Sequence, residues 1–220
     1  MAIELPLFPL NIVLFPGTEL PLHIFEPRYR QMINECYEQG TPFGVVLARP
    51  ESEHLLEEPY PVGTMAEIES LERLQDGRMN LIARGSQRFR ILSQHRAKPY
   101  LSGVVEIYSD TIEEINEELD QVVQQARMLF RSYLQALLAV IGHDELDFTL
   151  PDDAEELSHF IAHLMDIHDE QKQHMLELTS TSRRLEEEVV ILRREVPFMR
   201  EVLSMSHRFQ TNMPDHSVLN

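Results

Sequence analysis

The chain has 220 residues and a formal net charge of −18 at pH 7. Lysine and arginine together number 19, and only two of these residues, Lys98 and Lys172, are lysines. Affinity for nucleic acids depends mainly on neutralising phosphates with such side chains, so the composition argues against a nucleic-acid-binding protein. The length allows one large domain or two small ones, with enough buried surface to fold without disulfide or metal staples.

The negative charge is concentrated in the second half of the chain. Residues 111–220 contain 22 acidic and 9 basic side chains, whereas residues 1–110 contain 15 and 10. A strongly acidic surface favours basic partners and repels nucleic acid.

Cysteine content and apolar runs both bear on the cellular compartment. No run approaches the roughly 20 uninterrupted apolar residues that cross a bilayer. No basic leader precedes an apolar core near residue 1, which disfavours a secretory signal. The single cysteine, Cys36, cannot form an intramolecular disulfide and fits a reducing environment. The sequence therefore predicts a cytoplasmic protein that neither enters nor binds a membrane.

The first thirty residues combine apolar side chains with prolines. Two apolar runs occupy residues 5–17 and 22–30, and the first contains Pro6, Pro9 and Pro16. Proline fixes φ and removes a backbone donor, so these residues disfavour both a regular helix and a central strand. We expect an irregular backbone path over residues 5–17.

One helix and several strands are predicted between residues 27 and 108. Pro27 suits the first position of a helix at 27–39, and Gly40 suits its end. Apolar runs, period-two alternation and turn residues then predict strands. Their ranges are 43–48, 63–71, 79–83, 87–93 and 100–108, with a hairpin turn at Asp76-Gly77 and a second turn at Gly85-Ser86. About six strands with short, mostly antiparallel connections suit a closed or nearly closed sheet.

The apolar period changes from two to 3.6 residues after Asp110. One helix of about 30 residues is predicted from Ile112 to Ile141, ending at Gly142. Asp152 is expected to cap the next helix.

Two further helices are predicted beyond it. A short helix is expected at 170–178, and a last long helix begins at Thr181 or Ser182. Pro197 must kink or break this last helix. Residues 207–220 contain little apolar material and are predicted to form a disordered tail.

Six sequence blocks, in this order and spacing, resemble the Lon protease substrate-binding (N-terminal) domain family. They are residues 5–17, 22–30, 43–47, 62–68, 76–78 and 85–91. The Ile24–Arg30 block looks most like the stand-alone bacterial proteins that carry this domain without the ATPase and protease domains. The resemblance implies an α+β fold: a PUA-like β pseudo-barrel at 1–110, then a helical bundle with a long helix at 111–206. It also implies a role in recognising polypeptides.

The two catalytic activities of a full-length Lon protease have no counterpart in these residues. No Gly-Lys-Ser or Gly-Lys-Thr occurs, so no phosphate-cradling loop with its lysine can form. Neither lysine lies in a glycine-rich segment with a serine that resembles the family's protease motif. We therefore expect no enzyme activity and no cofactor.

Two alternative functions remain open. His159 and His163 lie one helical turn apart and could begin a zinc site of a metal-dependent hydrolase, although the sequence singles out no third ligand. The PUA-like architecture often binds RNA or nucleotides, and arginines gathered on one face would support that function. The candidates are Arg84, Arg88, Arg90 and Arg96.

The preferred hypothesis is non-catalytic recognition of unfolded or hydrophobic polypeptide segments, as an adaptor in protein quality control with a separate protease as candidate partner. Leu14, Phe15 and Pro16 lie in a kinked segment whose whole apolar run is hard to bury, so we assign them to a peptide-binding groove. Core packing is the alternative for each. Phe25 and Tyr29, at the helix predicted over 27–39, complete the candidate site. The oligomeric state stays open.

Overall fold

The structure is a computed structural model, and it describes residues 2–49, 58–114, 116–140 and 149–211. Six strands come first: β1 (Ala2–Leu10), β2 (Glu19–Ile24), β3 (Phe43–Leu47), β4 (Val62–Arg73), β5 (Met79–His95) and β6 (Ser102–Ile107). Helix α1 (Pro27–Gln39) lies between β2 and β3. The remaining helices follow the sheet: α2 (Glu117–Val140), α3 (Ala154–Leu164), α4 (Asp169–Glu177) and α5 (Thr181–Thr211). The α+β fold predicted from the sequence is confirmed.

The chain divides into two compact units. The first comprises Met1–Ile112 and Asp153–Thr181, and the second comprises Glu113–Asp152 and Ser182–Asn220. The sequence predicts a single division near residue 110, whereas α3 and α4 belong to the same unit as the sheet. Hydrogen bonds explain this membership, because the Gln173 amide on α4 donates to the Val62 carbonyl of β4 at 3.0 Å. The division into a β-rich domain at 1–110 and a helical bundle at 111–206 stays a prediction.

The strand order is β2-β5-β4-β3-β1-β6, and β5 also pairs with β6. Five strands therefore close into a barrel, and β2 extends it beside the first half of β5. Among the strand pairings of the described residues, β1 with β3 is parallel and the others are antiparallel. The long β5 makes this closure possible, since its residues 79–84 pair with β2 and its residues 89–95 pair with β6.

The expectation of an irregular path at residues 5–17 is wrong for its first part, because β1 is a regular strand between β3 and β6. It pairs with β6 through Ala2–Pro6 and with β3 through Leu7–Leu10. Leu7 N donates to the Leu101 carbonyl. The backbone N–H and C=O groups of odd-numbered β1 residues therefore point towards β6, and those of even-numbered residues point towards β3. Pro6 precedes the β3 pairing and Pro9 follows the β6 pairing, so neither proline removes a needed donor.

The turn predicted at Gly85-Ser86 is also wrong, because β5 runs unbroken through both residues. A Cβ atom at Gly85 would lie 2.3 Å from the Phe15 carbonyl oxygen. Gly85 N donates to the Thr18 carbonyl, and Gly17 N donates to the Gly85 carbonyl. The glycine therefore marks a close approach of two backbone segments.

Helix α1 matches its prediction at both ends, with Gly40 in the left-handed conformation at its C-cap. The cap of α3 is Asp153, whose side chain accepts from the Glu156 amide, and not Asp152. Helix α5 continues through Pro197, so the predicted break does not occur. It also includes residues 207–211, which were predicted as tail.

Three other predictions concern residues outside the described ranges. The rest of the predicted tail, 212–220, lies there, as do Ile141 and the predicted helix stop at Gly142.

Two apolar clusters hold the sheet unit together. One packs α1 against the sheet and includes Phe8, Tyr29, Ile33 and Phe43, together with Cys36. Burial raises the pKa of the Cys36 thiol to about 11, which suits an inert core residue. The other cluster fills the barrel and consists of Leu5, Leu7, Val46, Met65, Phe89, Leu101 and Val105. None of the helices in the described ranges has the length and apolar character that crossing a bilayer requires.

Candidate functional site

A groove of about 220 Å³ lies between the end of β1, the end of β2 and the start of α1. We call it the β1–β2 groove. Its lining is mainly apolar: Phe8, Pro9, Leu10, Asn11, Leu22, His23, Ile24, Phe25, Glu26 and Tyr29. The strand pairings account for its position. The pairing of β1 with β6 ends at Pro6, before the groove residues of β1, and among the described strands β2 pairs only with β5.

Phe25 is the exposed aromatic residue of the groove, with 61% of its surface accessible. It follows the last residue of β2 and precedes Glu26, the extended N-cap of α1. The His23 ring stacks on it at a centroid distance of 6.3 Å. His23 is held in turn by Asn80, since its Nδ1 lies 2.7 Å from the Asn80 Oδ1. The phenyl ring is therefore supported from the sheet while its other surface faces solvent.

Tyr29 and Phe8 form the buried side of the groove, with ring centroids 4.2 Å apart. Burial raises the pKa of Tyr29 and keeps its phenol neutral. The guanidinium of Arg28 lies 4.6 Å from the Tyr29 ring centroid and also pairs with the Glu26 carboxylate at 2.9 Å. The charges of Glu26 and Arg28 thus neutralise each other, and the recess beside them is mainly apolar.

The structure separates the five predicted site residues. Phe25 and Tyr29 line the β1–β2 groove. Leu14 and Phe15 are buried, with 3% and 0% of their surface accessible, and Pro16 is half-buried. None of these three lines the groove, because their segment is inserted against the sheet.

Hydrogen bonds from threonine hydroxyls to backbone carbonyls hold that inserted segment. The Leu14 carbonyl accepts from the Thr64 hydroxyl at 2.6 Å, and the Phe15 carbonyl accepts from the Thr18 hydroxyl at 2.9 Å. The role of Leu14, Phe15 and Pro16 in peptide binding stays a prediction. In this conformation the buried side chains of Leu14 and Phe15 offer almost no surface to a ligand.

Sequence reasoning missed the contribution of β2. His23, Leu22 and Ile24 line the groove, yet no strand is predicted at residues 19–24. The alternation of Glu19, Leu20, Pro21, Leu22 and His23 is the signal that could have identified it.

A shallower depression of about 520 Å³ adjoins the groove and shares Leu22 and His23 with it. It lies on three neighbouring strands, β2, β5 and β4. In two successive cross-strand rows, Pro21 faces Ile82 and His23 faces Asn80. The groove and this depression together form one surface along β2.

The two histidines of the metal hypothesis both lie on α3. His159 is buried and its ring lies 6.1 Å from the Phe15 ring centroid. His163 is half-buried, and burial lowers its pKa. In the part of the chain that the structure describes, no three His, Cys, Asp or Glu side chains are placed to hold a metal ion. The hydrolase hypothesis gains no support from these positions.

Two of the four arginines of the RNA hypothesis are engaged in ion pairs. Arg84 pairs with the carboxylates of Glu19 and Glu69, and Arg88 is buried in an ion pair with Asp110. Arg90 is exposed and its guanidinium lies 4.3 Å from the Tyr108 ring centroid. Because two of the four charges are neutralised within the fold, the surface offers little attraction for phosphates.

Comparison with known proteins connects this arrangement to a family. A family model described as the ATP-dependent protease La (LON) substrate-binding domain matches residues 4–194. The chain belongs to the Lon substrate-binding domain family. The resemblance inferred from the six sequence blocks is thereby confirmed. Two of those blocks, residues 5–17 and 22–30, supply most of the β1–β2 groove.

Similar proteins agree with this membership. Lon protease 2 of Myxococcus xanthus is 27% identical over 219 residues, which cover 94% of this chain and 25% of that protein. Lon protease of Parabacteroides distasonis is 34% identical over 110 residues, which cover 49% of this chain and 13% of that protein. The chain thus spans at most about a quarter of the length of these curated Lon proteases.

Solved structures of the family share the fold. A Lon N-terminal domain protein from Xanthomonas campestris has a TM-score of 0.64 and 29% identity, covering 84% of this chain and 96% of that one. The N-terminal domain of Lon protease from Mycobacterium avium complex has a TM-score of 0.65 and 18% identity, covering 86% of this chain and 98% of that one. The second likeness shows the fold alone. Membership of a family described as a substrate-binding domain supports a substrate-recognition role for this chain.

Proposed function

We propose that this chain recognises exposed apolar segments of polypeptides at the β1–β2 groove, without catalysing a reaction on them. The observation that carries this proposal is Phe25: a phenyl ring 61% exposed at the mouth of an apolar recess, in a member of the Lon substrate-binding domain family. Aromatic anchors in such recesses commonly provide much of the binding energy of an interface.

The composition of the groove favours an apolar ligand over a charged one. The carboxylate in its lining, Glu26, pairs with the neighbouring Arg28 guanidinium at 2.9 Å. Phe25 supplies the exposed aromatic surface, and the nearly buried rings of Tyr29 and Phe8 line the recess. A leucine or phenylalanine side chain of a client polypeptide would replace water against these rings, and the loss of that hydrated apolar surface would drive binding.

A recognition role also fits the chemistry that the sequence lacks. Neither a phosphate-binding loop nor a serine–lysine dyad occurs in the 220 residues. We infer that any degradation of a bound client requires a separate protease, which makes this chain an adaptor in protein quality control. The net charge of −18 adds a preference for clients that are neutral or basic.

The test is a binding measurement with a permanently unfolded polypeptide. Reduced and carboxymethylated casein, labelled with a fluorophore, would be titrated with the wild-type chain and with Phe25→Ala. Loss of one aromatic anchor should weaken binding by about 1–3 kcal/mol. Leu92→Ala is the matched control, because Leu92 is 53% exposed on β5 but does not line the groove.

Three outcomes of that titration are informative. Weaker binding by Phe25→Ala with unchanged binding by Leu92→Ala supports the groove. Equal losses in both variants would mean that exposed apolar surface binds the client without a specific site. No binding by the wild-type chain would overturn the proposal.

A further inference from the structure

The open edge of β2 borders the β1–β2 groove and offers backbone hydrogen-bonding groups. Within the described ranges β2 pairs with β5 alone, and it is the last strand in the sheet order. A strand in this position presents unpaired N–H and C=O groups along its other side. Which residues present them follows from the pairing with β5.

The pairing alternates along β2. Gly85 N donates to the Thr18 carbonyl, so the Thr18 carbonyl points towards β5 in the register that continues into β2. In an antiparallel ladder every second residue points its N–H and C=O towards the partner strand. Leu20, Leu22 and Ile24 therefore face β5. Glu19, Pro21 and His23 point their backbone groups towards the open edge.

Pro21 fits this assignment, because a proline is tolerated where no ladder donor is needed. It also removes one donor from the open edge. The groups left for a ligand within β2 are the N–H and the carbonyl of Glu19, the Pro21 carbonyl, and the N–H and the carbonyl of His23. Five groups make a short ladder, which can bind one extended segment but gives little support to uncontrolled edge-to-edge association.

We propose, on the basis of the proposed function, that the client polypeptide binds as an extended segment that adds to the open edge of β2 through the backbone of Pro21 and His23. The client residue opposite His23 then exchanges two hydrogen bonds with it. Its side chain lies on the same face as the His23 ring, beside Phe25. Backbone pairing supplies affinity for many sequences, and Phe25 selects an apolar side chain at one position.

Charge complementarity identifies the client further. The chain carries a net charge of −18, and the charged pair nearest Phe25, Glu26 with Arg28, is internally neutral. Long-range attraction therefore acts on the residues that flank the bound segment and not on the side chain inside the groove. The occupant is an extended apolar segment flanked by lysine or arginine.

The experiment uses the full chain and one labelled synthetic peptide, in which a central phenylalanine lies in an alternating leucine–threonine segment with lysines at both ends. Two derivatives carry N-methyl groups on alternate residues, one set including the phenylalanine and the other set shifted by one. Only one set can face β2, so we expect one derivative to bind about tenfold more weakly or worse and the other to match the parent peptide.

Two protein variants test the same edge. His23→Ala removes the imidazole, and His23→Pro removes both the imidazole and the N–H. Position 23 tolerates proline on the same grounds as position 21, and circular dichroism checks the fold. His23→Pro should bind several-fold more weakly than His23→Ala. Because the N-methylated peptides leave the protein unchanged, they decide the matter even where His23→Pro fails to fold.

The remaining outcomes separate this inference from the proposed function. If both N-methylated sets bind like the parent peptide, the edge pairing is overturned while recognition by the groove stands. If neither the parent peptide nor unfolded casein binds, the proposed function itself fails. Replacing the flanking lysines by glutamates should weaken binding several-fold at low salt and less at high salt. Equal affinities of the lysine-flanked and glutamate-flanked peptides at low salt would overturn the inference that the client segment has basic flanks.

Discussion

The guanidinium of Arg88 forms a buried ion pair with the carboxylate of Asp110; the two side chains are 2% and 5% exposed. Arg88 also donates to the carbonyls of Leu176 and Leu178, each at 2.7 Å. These carbonyls lie at the C-terminal end of α4, where no intrahelical donor remains for them. The Thr181 hydroxyl donates to Asp110 at 2.7 Å. One polar cluster thus joins β5, the segment after β6 and the end of α4.

We predict that Arg88→Met lowers the free energy of unfolding by about 3–5 kcal/mol, because it leaves the Asp110 carboxylate buried without its main partner. Unfolding in guanidinium chloride measures the effect. Arg84→Met is the control: Arg84 also pairs with two carboxylates, Glu19 and Glu69, but at the surface. Arg84→Met should lower the free energy of unfolding far less than Arg88→Met does. Similar losses in both variants would show that burial does not set the strength of the Arg88 cluster.

The regular parts of this fold are readable from the sequence because local signals determine them. Pro27 and Gly40 delimit α1, and Gly77, at φ 81°, forms the predicted turn between β4 and β5. The errors occur where a distant segment decides the structure. Pro9 is compatible with β1 only because the pairing with β6 does not extend to it. Gly85 is needed only because the Phe15 backbone lies against it. No local pattern contains either fact.

We predict that Gly85→Ala destabilises the fold by about 1–3 kcal/mol or more, because the added Cβ would meet the Phe15 carbonyl at 2.3 Å. Neither segment can move easily, since Gly17 N bonds the Gly85 carbonyl. Thermal and urea unfolding report the change. Ser86→Ala removes one long hydrogen bond of 3.4 Å and should cost less than about 1 kcal/mol. A stable Gly85→Ala variant would refute the close-approach argument.

A cluster at α1 predicts a pH-dependent contribution to stability. Glu35 accepts from the Lys98 ammonium at 2.6 Å, from the Gln31 amide at 2.8 Å and from the Tyr100 hydroxyl at 2.7 Å. Chiefly because of the Lys98 hydrogen bond, the pKa of Glu35 falls from 4.5 to about 2. A carboxyl whose pKa is lower when folded stabilises the protein above its unfolded pKa and loses that effect as pH falls towards 2.

We expect Glu35→Gln to destabilise the chain at pH 7 by less than about 1 kcal/mol, because solvent screens this half-exposed pair. The difference from wild type should shrink between pH 5 and pH 3. Urea unfolding of both proteins across this range measures it. Glu38→Gln, an exposed change on the same helix, should show no such trend. A wild-type advantage that persists unchanged at pH 3 would contradict the assignment.

The candidate site was only partly predictable. Phe25 and Tyr29 are near a helix start that the sequence marks clearly, and both line the β1–β2 groove. Leu14 and Phe15 have the same apolar character but are inserted beside Thr64 and Gly85, residues about 50 to 70 positions away. Apolar character alone does not distinguish a groove from a core. Burial does, and burial depends on pairing between distant segments.

Phe15 and Phe25 therefore make the sharpest matched pair of variants. Phe15 is fully buried, so Phe15→Ala should lower the free energy of unfolding by about 3–5 kcal/mol. Phe25 is 61% exposed, so Phe25→Ala should change stability by no more than about 0.5 kcal/mol. Melting curves measured beside casein binding separate the two roles. Per folded molecule, Phe15→Ala should bind like wild type and Phe25→Ala should bind more weakly. The reverse result, a stable Phe15→Ala variant with weakened binding, would show that the segment around Phe15 leaves the core to meet the client.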